Sequence, residues 1–205
     1  MNARIRMMVL AAALTTGMAA GPLRAQQHDG VTHTPPAIAH PGQANPAAGA
    51  AKDETPQEFL AKRAGEWTRT IRFVGADSDS PPSTGTSKIT VILNGKFIQE
   101  QNEDVVFGRP VSGTRIYGYN NATKQYEAAW LYTMSPAILN LTGTSTDGGK
   151  VVDYTGVTYT ASGGKTTLHA RVRQVDNDQF IVTLYTAGPD GKEAPFQETS
   201  YQRKK

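Results

Sequence analysis

Residues 89–98 read Ile-Thr-Val-Ile-Leu-Asn-Gly-Lys-Phe-Ile, the pattern of a β-strand, a tight turn and the start of a second strand. Ile89, Val91 and Leu93 alternate with their neighbours, as side chains on one face of a strand do. Asn94-Gly95 is typical of the short turns in β-hairpins, because both residue types tolerate positive φ. The stretch therefore predicts two antiparallel strands, the second of which runs from Lys96 to Val106.

The same alternation, interrupted by turn residues, continues on both sides of this hairpin. Alternate residues from Trp67 to Phe73 share one face of an earlier strand, and alternate residues from Tyr126 to Tyr132 share a face of a later one. Clusters such as Asp147-Gly148-Gly149 mark further turns. Between the turns, the pattern predicts strands near 112–119, 125–133, 138–145, 150–160, 166–175, 179–187 and 193–203.

One short helix is predicted before the strands. Thr55-Pro56-Gln57-Glu58 is a capping box with proline at the first helical position, and the helix is expected to run to about Arg63 and to end at Gly65.

About ten short strands with hairpin connections and no crossover helix predict an all-β domain. A single antiparallel up-and-down β-barrel is the most economical arrangement, because its closure removes exposed strand edges. A sandwich of two sheets is the alternative, since alternation alone does not distinguish closure from stacking.

The first 25 residues have the composition of a secretory signal peptide. Arg4 and Arg6 form a short basic region, and an apolar run follows from Met7 to Ala20. This run is shorter than the roughly 20 residues that cross a bilayer as a helix. We therefore expect a periplasmic or secreted protein, cleaved after Ala25 and without a stable membrane anchor; an uncleaved N-terminal anchor is the alternative.

The net positive charge of the chain is confined to this segment. The chain has 21 basic and 18 acidic residues, and three of its arginines lie in residues 1–25, which contain no acid. Residues 26–205 therefore hold 18 of each kind. Without a basic excess there is no electrostatic attraction to a phosphate backbone, so nucleic acid is not an expected partner.

Residues 26–55 form a linker rich in proline, alanine and glycine, with no aromatic residue. We predict that it is disordered, because such a composition buries too little apolar surface to offset the entropy of ordering. All 16 aromatic residues lie between Phe59 and Tyr201. One β-barrel domain is therefore placed at residues 56–205, and nothing in the pattern fixes its oligomeric state.

Several short motifs mark the strand region. Gly65-Glu66-Trp67, where the helix meets the first strand, is similar to the Gly-x-Trp opening of lipocalin-type, or calycin, barrels. Further motifs are Leu93-Asn94-Gly95-Lys96-Phe97-Ile98, Gly118-Tyr119-Asn120, Tyr126 with Trp130, Gly143, Asp147-Gly148-Gly149-Lys150, Asp190-Gly191-Lys192-Glu193, and Glu198 with Tyr201 and Arg203. From Gly65 to Arg203 this series closely resembles the bacterial family of domains of unknown function numbered 1579. The resemblance implies a lipocalin-like β-barrel and implies no particular reaction or ligand.

The chain departs from the pattern of similar sequences at two positions. Tyr132 stands where an acidic residue tends to follow the tryptophan by two places, and Asn120 stands where aspartate is frequent. If that acid serves a chemical role in the family, this chain lacks it.

Aromatic side chains on the predicted strands are the candidates for lining a ligand cavity. They are Trp67, Phe97, Tyr126, Trp130 and Tyr132. The alternative is that they pack into a solid core, because a cavity and a packed core give the same sequence pattern.

Two charged residues complete the candidate ligand site. Arg171 is a candidate for orienting a polar group of the ligand, and Glu198 is a candidate for facing such an arginine from the last strand. An ion pair that closes the barrel is the alternative role for these residues.

The sequence offers no pattern of an established catalytic or metal site. It has no cysteine, and the predicted barrel has a single histidine, His169. A metal ion needs three or four ligands, so we predict no metal site. One histidine is enough as an axial ligand of haem, but no other feature of the sequence supports haem, so we predict no cofactor. A barrel enzyme would use a carboxylate such as Glu100 or Glu198 as general base, and no residue is assigned to catalysis.

These observations favour an exported barrel that binds a small apolar or amphipathic molecule in its interior. The alternatives are a barrel enzyme with a carboxylate general base, and a structural or partner-binding module of the cell envelope, which would need an exposed apolar patch.

Overall fold

The computed structural model describes residues 54–75, 80–159, 163–187 and 192–205. The predicted signal peptide, and all but the last two residues of the predicted linker, lie outside the described residues. Within the described ranges, no helix combines the length and the apolar character needed to cross a membrane.

The described chain forms one short helix and ten strands. They are α1 Pro56–Ala61, β1 Gly65–Phe73, β2 Ser83–Ile92, β3 Phe97–Val106, β4 Arg109–Asn120, β5 Gln125–Tyr132, β6 Ser135–Thr144, β7 Val151–Tyr159, β8 Lys165–Gln174, β9 Gln179–Ala187 and β10 Glu193–Arg203. Each strand pairs antiparallel with the next along the chain, and β1 also pairs with β10, so the sheet closes into a barrel. The predicted up-and-down barrel is therefore confirmed, and the sandwich is excluded.

The turn between β2 and β3 is longer than predicted. β2 ends at Ile92, and Leu93, Asn94 and Gly95 have φ angles of 50°, 58° and 84°. The prediction that Leu93 shares a strand face with Ile89 and Val91 is wrong, since its side chain lies in the turn and is 67% exposed.

Helix α1 covers the end of the barrel at which β1 begins, which we call the closed end. The predicted capping box is confirmed: the Thr55 hydroxyl accepts from the Glu58 amide at 3.2 Å, and the Glu58 carboxylate accepts from the Thr55 amide at 2.8 Å. Leu60 points from the helix into the core and is 1% exposed. The opposite end, at which β1 finishes and β10 starts, has no such cover in the described chain and is called the open end.

Trp67 and Arg203 connect the helix, the first strand and the last strand at the closed end. The Trp67 indole is fully buried and donates to the Arg63 carbonyl at 2.9 Å. The Arg203 guanidinium lies 4.2 Å from the Trp67 ring centroid and donates to the carbonyls of Ala64 and Lys62 at 2.7 and 2.8 Å. These contacts hold the chain that follows α1 against the barrel.

The wall of the barrel is incompletely paired between β6 and β7. The register between these strands covers only Leu141–Thr144 and Asp153–Gly156. Residues 135–140 and 157–159 belong to the same strands but lie beyond this pairing, towards the open end.

Exposed apolar side chains gather around the open end, where they form what we call the apolar rim. Its members are Val74, Val105, Phe107, Met134, Ile138, Val157 and Tyr159. The Phe107 ring stacks on Phe73 with 4.6 Å between centroids.

Candidate functional site

Four charged side chains meet inside the barrel and form what we call the charge network. Arg69 comes from β1, Glu100 and Asp104 come from β3, and Arg115 comes from β4. Each is 6% exposed or less. The strand register explains their proximity, because Glu100 lies directly opposite Arg115 in the pairing of β3 with β4.

Glu100 is the centre of the network. The Nη1 atom of Arg115 donates to both of its carboxylate oxygens at 3.3 Å, and the hydroxyls of Tyr201 and Ser87 donate at 2.9 and 3.1 Å. Arg115 Nη1 also donates to the Tyr201 hydroxyl at 2.6 Å. All donors to Glu100 come from inward-facing positions, so the carboxylate is held by the barrel wall itself.

Asp104 forms the second half of the network, nearer the open end. Its Oδ2 atom accepts from Arg69 and, at 2.7 Å, from the Asn102 amide. Its Oδ1 atom has no hydrogen-bond partner and packs against Gly85, where an added Cβ would lie 1.9 Å away. Gly85 therefore provides the space that the carboxylate occupies.

The pKa values of the two carboxylates are shifted in opposite directions. Burial alone would raise the pKa of Glu100, but Arg115, Arg69 and the Tyr201 hydroxyl together hold it below the usual value. Burial raises the pKa of Asp104 above its usual value, against the attraction of Arg69. Glu100 is thus a firmly ionised anchor and a weak base, which does not suit the role of general base.

The inner wall opposite the charge network is apolar. Inward-facing residues of β5–β9 are Tyr126, Ala128, Trp130, Leu139, Leu141, Val152, Tyr154, Leu168, Ala170, Val172, Phe180, Val182 and Leu184. Those near the closed end and the middle are buried, whereas Leu139, Leu168 and Leu184 are only partly buried. Because these leucines point inward, their exposed area faces the barrel interior, and we call this surface, together with Tyr132, the open-end cup.

Four of the seven residues predicted for the ligand site lie inside the barrel. Trp67 and Tyr126 belong to the buried core near the closed end. Trp130 and Tyr132 lie further along β5, and the Arg115 guanidinium carbon is 5.0 and 5.5 Å from their ring centroids. Trp130 and Tyr132 therefore connect the charge network with the open-end cup.

The other three predicted residues lie on the outer face. Phe97 precedes the inward-facing Ile98 and covers Gly118 from outside. Arg171, between the inward-facing Ala170 and Val172, donates to Asp153 at 2.7 and 3.2 Å.

Glu198 precedes the buried Thr199 of β10 and pairs in register with Arg72 and Thr183. Strand alternation thus removes Phe97, Arg171 and Glu198 from the interior.

Sequence reasoning missed Arg69, Asp104 and Arg115 as members of the interior site. A signal was present, because Arg69 alternates with Trp67 and Ile71 on a face that is otherwise apolar. A charged residue on such a face is buried only when it has partners. The partners themselves come from other strands, and alternation within one strand does not identify them.

The outer wall of the described chain has open depressions. The larger one, of about 690 Å³, spans β1–β5 and is lined in part by Lys88, Gln101 and Thr114. A smaller one, of about 260 Å³, lies beside Phe97 and Ile116. Neither encloses a ligand as an interior site does.

His169 lies on the outer face, where its ring nitrogens face two carboxylates. Nδ1 is 3.0 Å from Glu193 Oε2, Nε2 is 3.2 Å from Asp153 Oδ1, and the ring stacks on Tyr185. Across the described ranges, no three histidine, aspartate or glutamate side chains come together as a metal site would require.

Comparison with known proteins adds the family. The model of the family described as "Protein of unknown function (DUF1579)" matches residues 52–203, which include every strand of the barrel. The chain belongs to this family. A search of curated proteins finds no match.

Solved structures similar to this DUF1579 barrel share little sequence with it. Rv2717c from M. tuberculosis is 17% identical, with a TM-score of 0.50 over 73% of this chain and 98% of that one. The S-type phycobiliprotein lyase CPES from Guillardia theta is 13% identical, with a TM-score of 0.49 over 75% and 94%. A redesigned β-barrel is 14% identical, with a TM-score of 0.39 over 76% and 100%. At such identities, the likeness to Rv2717c concerns the fold alone.

Proposed function

We propose that this protein is exported and binds a small amphipathic molecule through the open end of its barrel. The two-sided interior is the observation that supports this proposal. One inner wall presents the charge network, the other presents partly exposed leucines, and both meet at Trp130 and Tyr132. An amphipathic molecule matches both surfaces, because its polar group finds hydrogen-bonding partners and its apolar part covers the leucines.

The surroundings of the open end agree with this function. The apolar rim surrounds the open end, and β6 and β7 are not paired with each other along residues 135–140 and 157–159. Exposed apolar side chains grouped at one end of a domain favour contact with an apolar molecule there. The proposal of export rests on the basic and apolar composition of residues 1–25.

Native mass spectrometry of the protein from the envelope of its producing cell tests both parts of the proposal. We expect a chain that begins at Gln26 and carries a non-covalent adduct, which organic solvent releases. A chain that still begins at Met1 contradicts cleavage of a signal peptide, and a chain found only in the cytoplasmic fraction contradicts export. A full chain that carries no adduct and also fails to bind added amphiphiles contradicts binding.

Filling the open-end cup is expected to weaken binding. In Leu168→Trp, the larger ring occupies the space in which the apolar part of a ligand would lie, so we expect at least a tenfold loss of affinity for the neutral probe N-phenylnaphthylamine, or about 1.4 kcal/mol. Fluorescence titration of the full chain measures this loss.

Thr167→Trp is the matched control, because Thr167 is the preceding residue of β8 and is exposed on the outer face. We expect its affinity for the probe to stay within about twofold of the unchanged protein. Equal effects of the two substitutions would show that the probe does not bind in the cup.

A further inference from the structure

We propose that His169 is a pH-sensitive clip on the wall of the barrel, which ties the start of β10 to β8 when its ring is protonated and releases it when the ring is neutral. The inference goes beyond the proposed function, because it concerns the wall of the barrel and applies with or without a ligand. It follows from the two carboxylates that face the ring and from the limited backbone pairing of the segment that the ring holds.

The His169 ring lies on the outer face of β8 with one carboxylate at each nitrogen. Nδ1 is 3.0 Å from Glu193 Oε2 on β10, and Nε2 is 3.2 Å from Asp153 Oδ1 on β7. An ionised carboxylate only accepts hydrogen bonds, so each ring nitrogen needs a proton for both bonds to form. Neutral imidazole has a single N–H. The two bonds therefore exist together only when the ring is positively charged.

Loss of one ring proton is expected to break the bond to Glu193 rather than the bond to Asp153. Arg171 donates to Asp153 at 2.7 and 3.2 Å and thereby lowers the pKa of this carboxyl, so Asp153 stays ionised and is held in place. A bare Nε2 atom would be repelled by this carboxylate, which favours the neutral ring with its proton on Nε2. The side chain of Glu193 is 53% exposed, so it turns into water once Nδ1 no longer donates.

The other titratable and charged groups around the ring in the described chain do not ordinarily change charge near neutral pH. They are Asp153 on β7, Arg171 on β8, Tyr185 on β9, Glu193 on β10 and Lys192, which precedes Glu193. Carboxyl groups ordinarily titrate at about pH 4, and tyrosine, lysine and arginine at about pH 10 or above. Histidine is the side chain whose ordinary titration lies between about pH 5 and pH 8. A change of pH across this range therefore acts on the clip through His169.

The backbone holds the start of β10 from one side only. Residues 193–195 pair with residues 185–187 of β9, but the register of β10 with β1 begins only at Gln197. The register with β9 shifts between Pro195 and Gln197, and proline has no N–H to donate. All three residues of this segment are exposed. One-sided pairing and few buried contacts are typical of segments that open locally.

The His169 ring supplies a link that this backbone lacks. His169, Tyr185 and Pro195 lie side by side on β8, β9 and β10 in the strand register. The bond between Nδ1 and Glu193 therefore reaches across β9 to the first residue of β10. The charge on one ring thus changes how firmly the start of β10 is held at the open end.

Amide hydrogen exchange of the full chain, measured by mass spectrometry, tests the clip without any ligand. Peptides that cover residues 193–196 are compared at about pH 5.5, where histidine is ordinarily protonated and carboxyl groups are ionised, and at about pH 8, where histidine is ordinarily neutral. After correction for the intrinsic effect of pH on exchange, we expect the protection of this segment to be about twofold to fivefold lower at the higher pH, the range of one exposed ion pair. The turn between β3 and β4 lies at the same end of the barrel and is the internal reference, with unchanged protection.

Two variants test the partners of the clip. His169→Phe keeps a ring that stacks on Tyr185 and removes both nitrogens, and Glu193→Ala removes the acceptor. Each is expected to show, at both pH values, the lower protection that the unchanged protein shows at about pH 8. Glu103→Ala is the matched control, because it truncates an exposed glutamate on β3, and it should leave the pH effect intact. Circular dichroism confirms that the variants fold.

The clip also has a consequence for the ligand, and this consequence rests on the proposed function. Gln197, where the register of β10 shifts, pairs with Leu184 of the open-end cup, so a loosened start of β10 borders the cup. We expect stopped-flow release of N-phenylnaphthylamine to be about twofold to fivefold faster at about pH 8 than at about pH 5.5. In His169→Phe the release should be equally fast at both pH values.

Equal protection of residues 193–196 at both pH values in the unchanged protein would overturn the clip, and a pH effect that persists in His169→Phe would overturn His169 as its source. Release of the probe at the same rate at both pH values would overturn the control of ligand exchange and leave the clip in place. Absence of probe binding would overturn the proposed function, and the exchange measurement would still decide the clip.

Discussion

Glu100→Leu is expected to lower the free energy of unfolding by about 3–5 kcal/mol, the range found when one partner of a buried ion pair is removed. The leucine leaves Arg115 buried without a carboxylate and removes the acceptor of the Tyr201 and Ser87 hydroxyls. Arg69 keeps its contact with Asp104, so the loss falls mainly on Arg115. Urea unfolding followed by circular dichroism measures the change.

Two further variants separate this effect from a general intolerance of β3 to leucine. Glu103→Leu makes the same change at an exposed, outward-facing position of the same strand and is expected to cost less than about 1 kcal/mol. Adding Arg115→Met to Glu100→Leu removes the arginine that has lost its carboxylate. We therefore expect the double variant to lose about 0.5–3 kcal/mol less stability than the sum of the losses of the two single variants. A double variant whose cost equals the sum of the single costs would contradict the ion pair as the cause.

The same carboxylate contributes to the pH dependence of stability. A folded pKa below the unfolded value means that the contribution of Glu100 is fully present above about pH 4.3, the ordinary glutamate pKa, and is lost as the pH falls through the folded value. Asp104 acts in the opposite direction, because its raised pKa makes the folded state bind the proton more tightly. Glu100→Gln should therefore flatten the loss of stability in acid, and an unaltered acid limb would contradict the direction of its pKa shift.

The barrel was predictable from the sequence because the alternation of residue types within a strand distinguishes its two faces. The alternation of Trp67, Arg69 and Ile71 marks an inner face whichever strands lie beside it, and the turn residues mark where each strand ends. The turn at Asn94-Gly95 was mispredicted at Leu93, since positive φ at three consecutive residues depends on how the neighbouring strands meet.

The interior site was only partly predictable. Trp130 and Tyr132 follow from the alternation along β5, whereas Glu100 meets Arg115 only because β3 and β4 pair in one particular register. Arg171 and Glu198 were placed in the ligand site for their charge. For Arg171, the alternation of Leu168, Ala170 and Val172 already marks the opposite face of β8 as the inner one. For Glu198 the sequence is ambiguous, because β10 carries Phe196 and Tyr201 on opposite faces and its inner face is defined only by the neighbouring strands.

Trp67→Ala is expected to destabilise the protein by about 3–5 kcal/mol, the usual cost of truncating a buried tryptophan. The indole is fully buried, packs edge-on against Phe180 at 4.8 Å between centroids, and supports Arg203 at 4.2 Å. Alanine leaves a cavity at the closed end and removes the ring on which the arginine lies. The contact between the end of β10 and the chain after α1 is therefore weakened together with the core.

Stability and probe affinity of the Trp67→Ala variant together distinguish a structural role of Trp67 from the ligand-lining role that its sequence pattern also allows. If Trp67 supports the closed end, urea unfolding will show the full loss of stability, while the affinity of the folded variant for N-phenylnaphthylamine will stay within about threefold of the unchanged protein, since the cup lies at the other end. Phe97→Ala is the matched control, because it truncates an aromatic ring at the same end but on the outer face, and it should cost less than half as much. A loss of probe affinity greater than tenfold in Trp67→Ala at full stability would instead place the ligand against the tryptophan, deep in the barrel, and would move the proposed site away from the open-end cup.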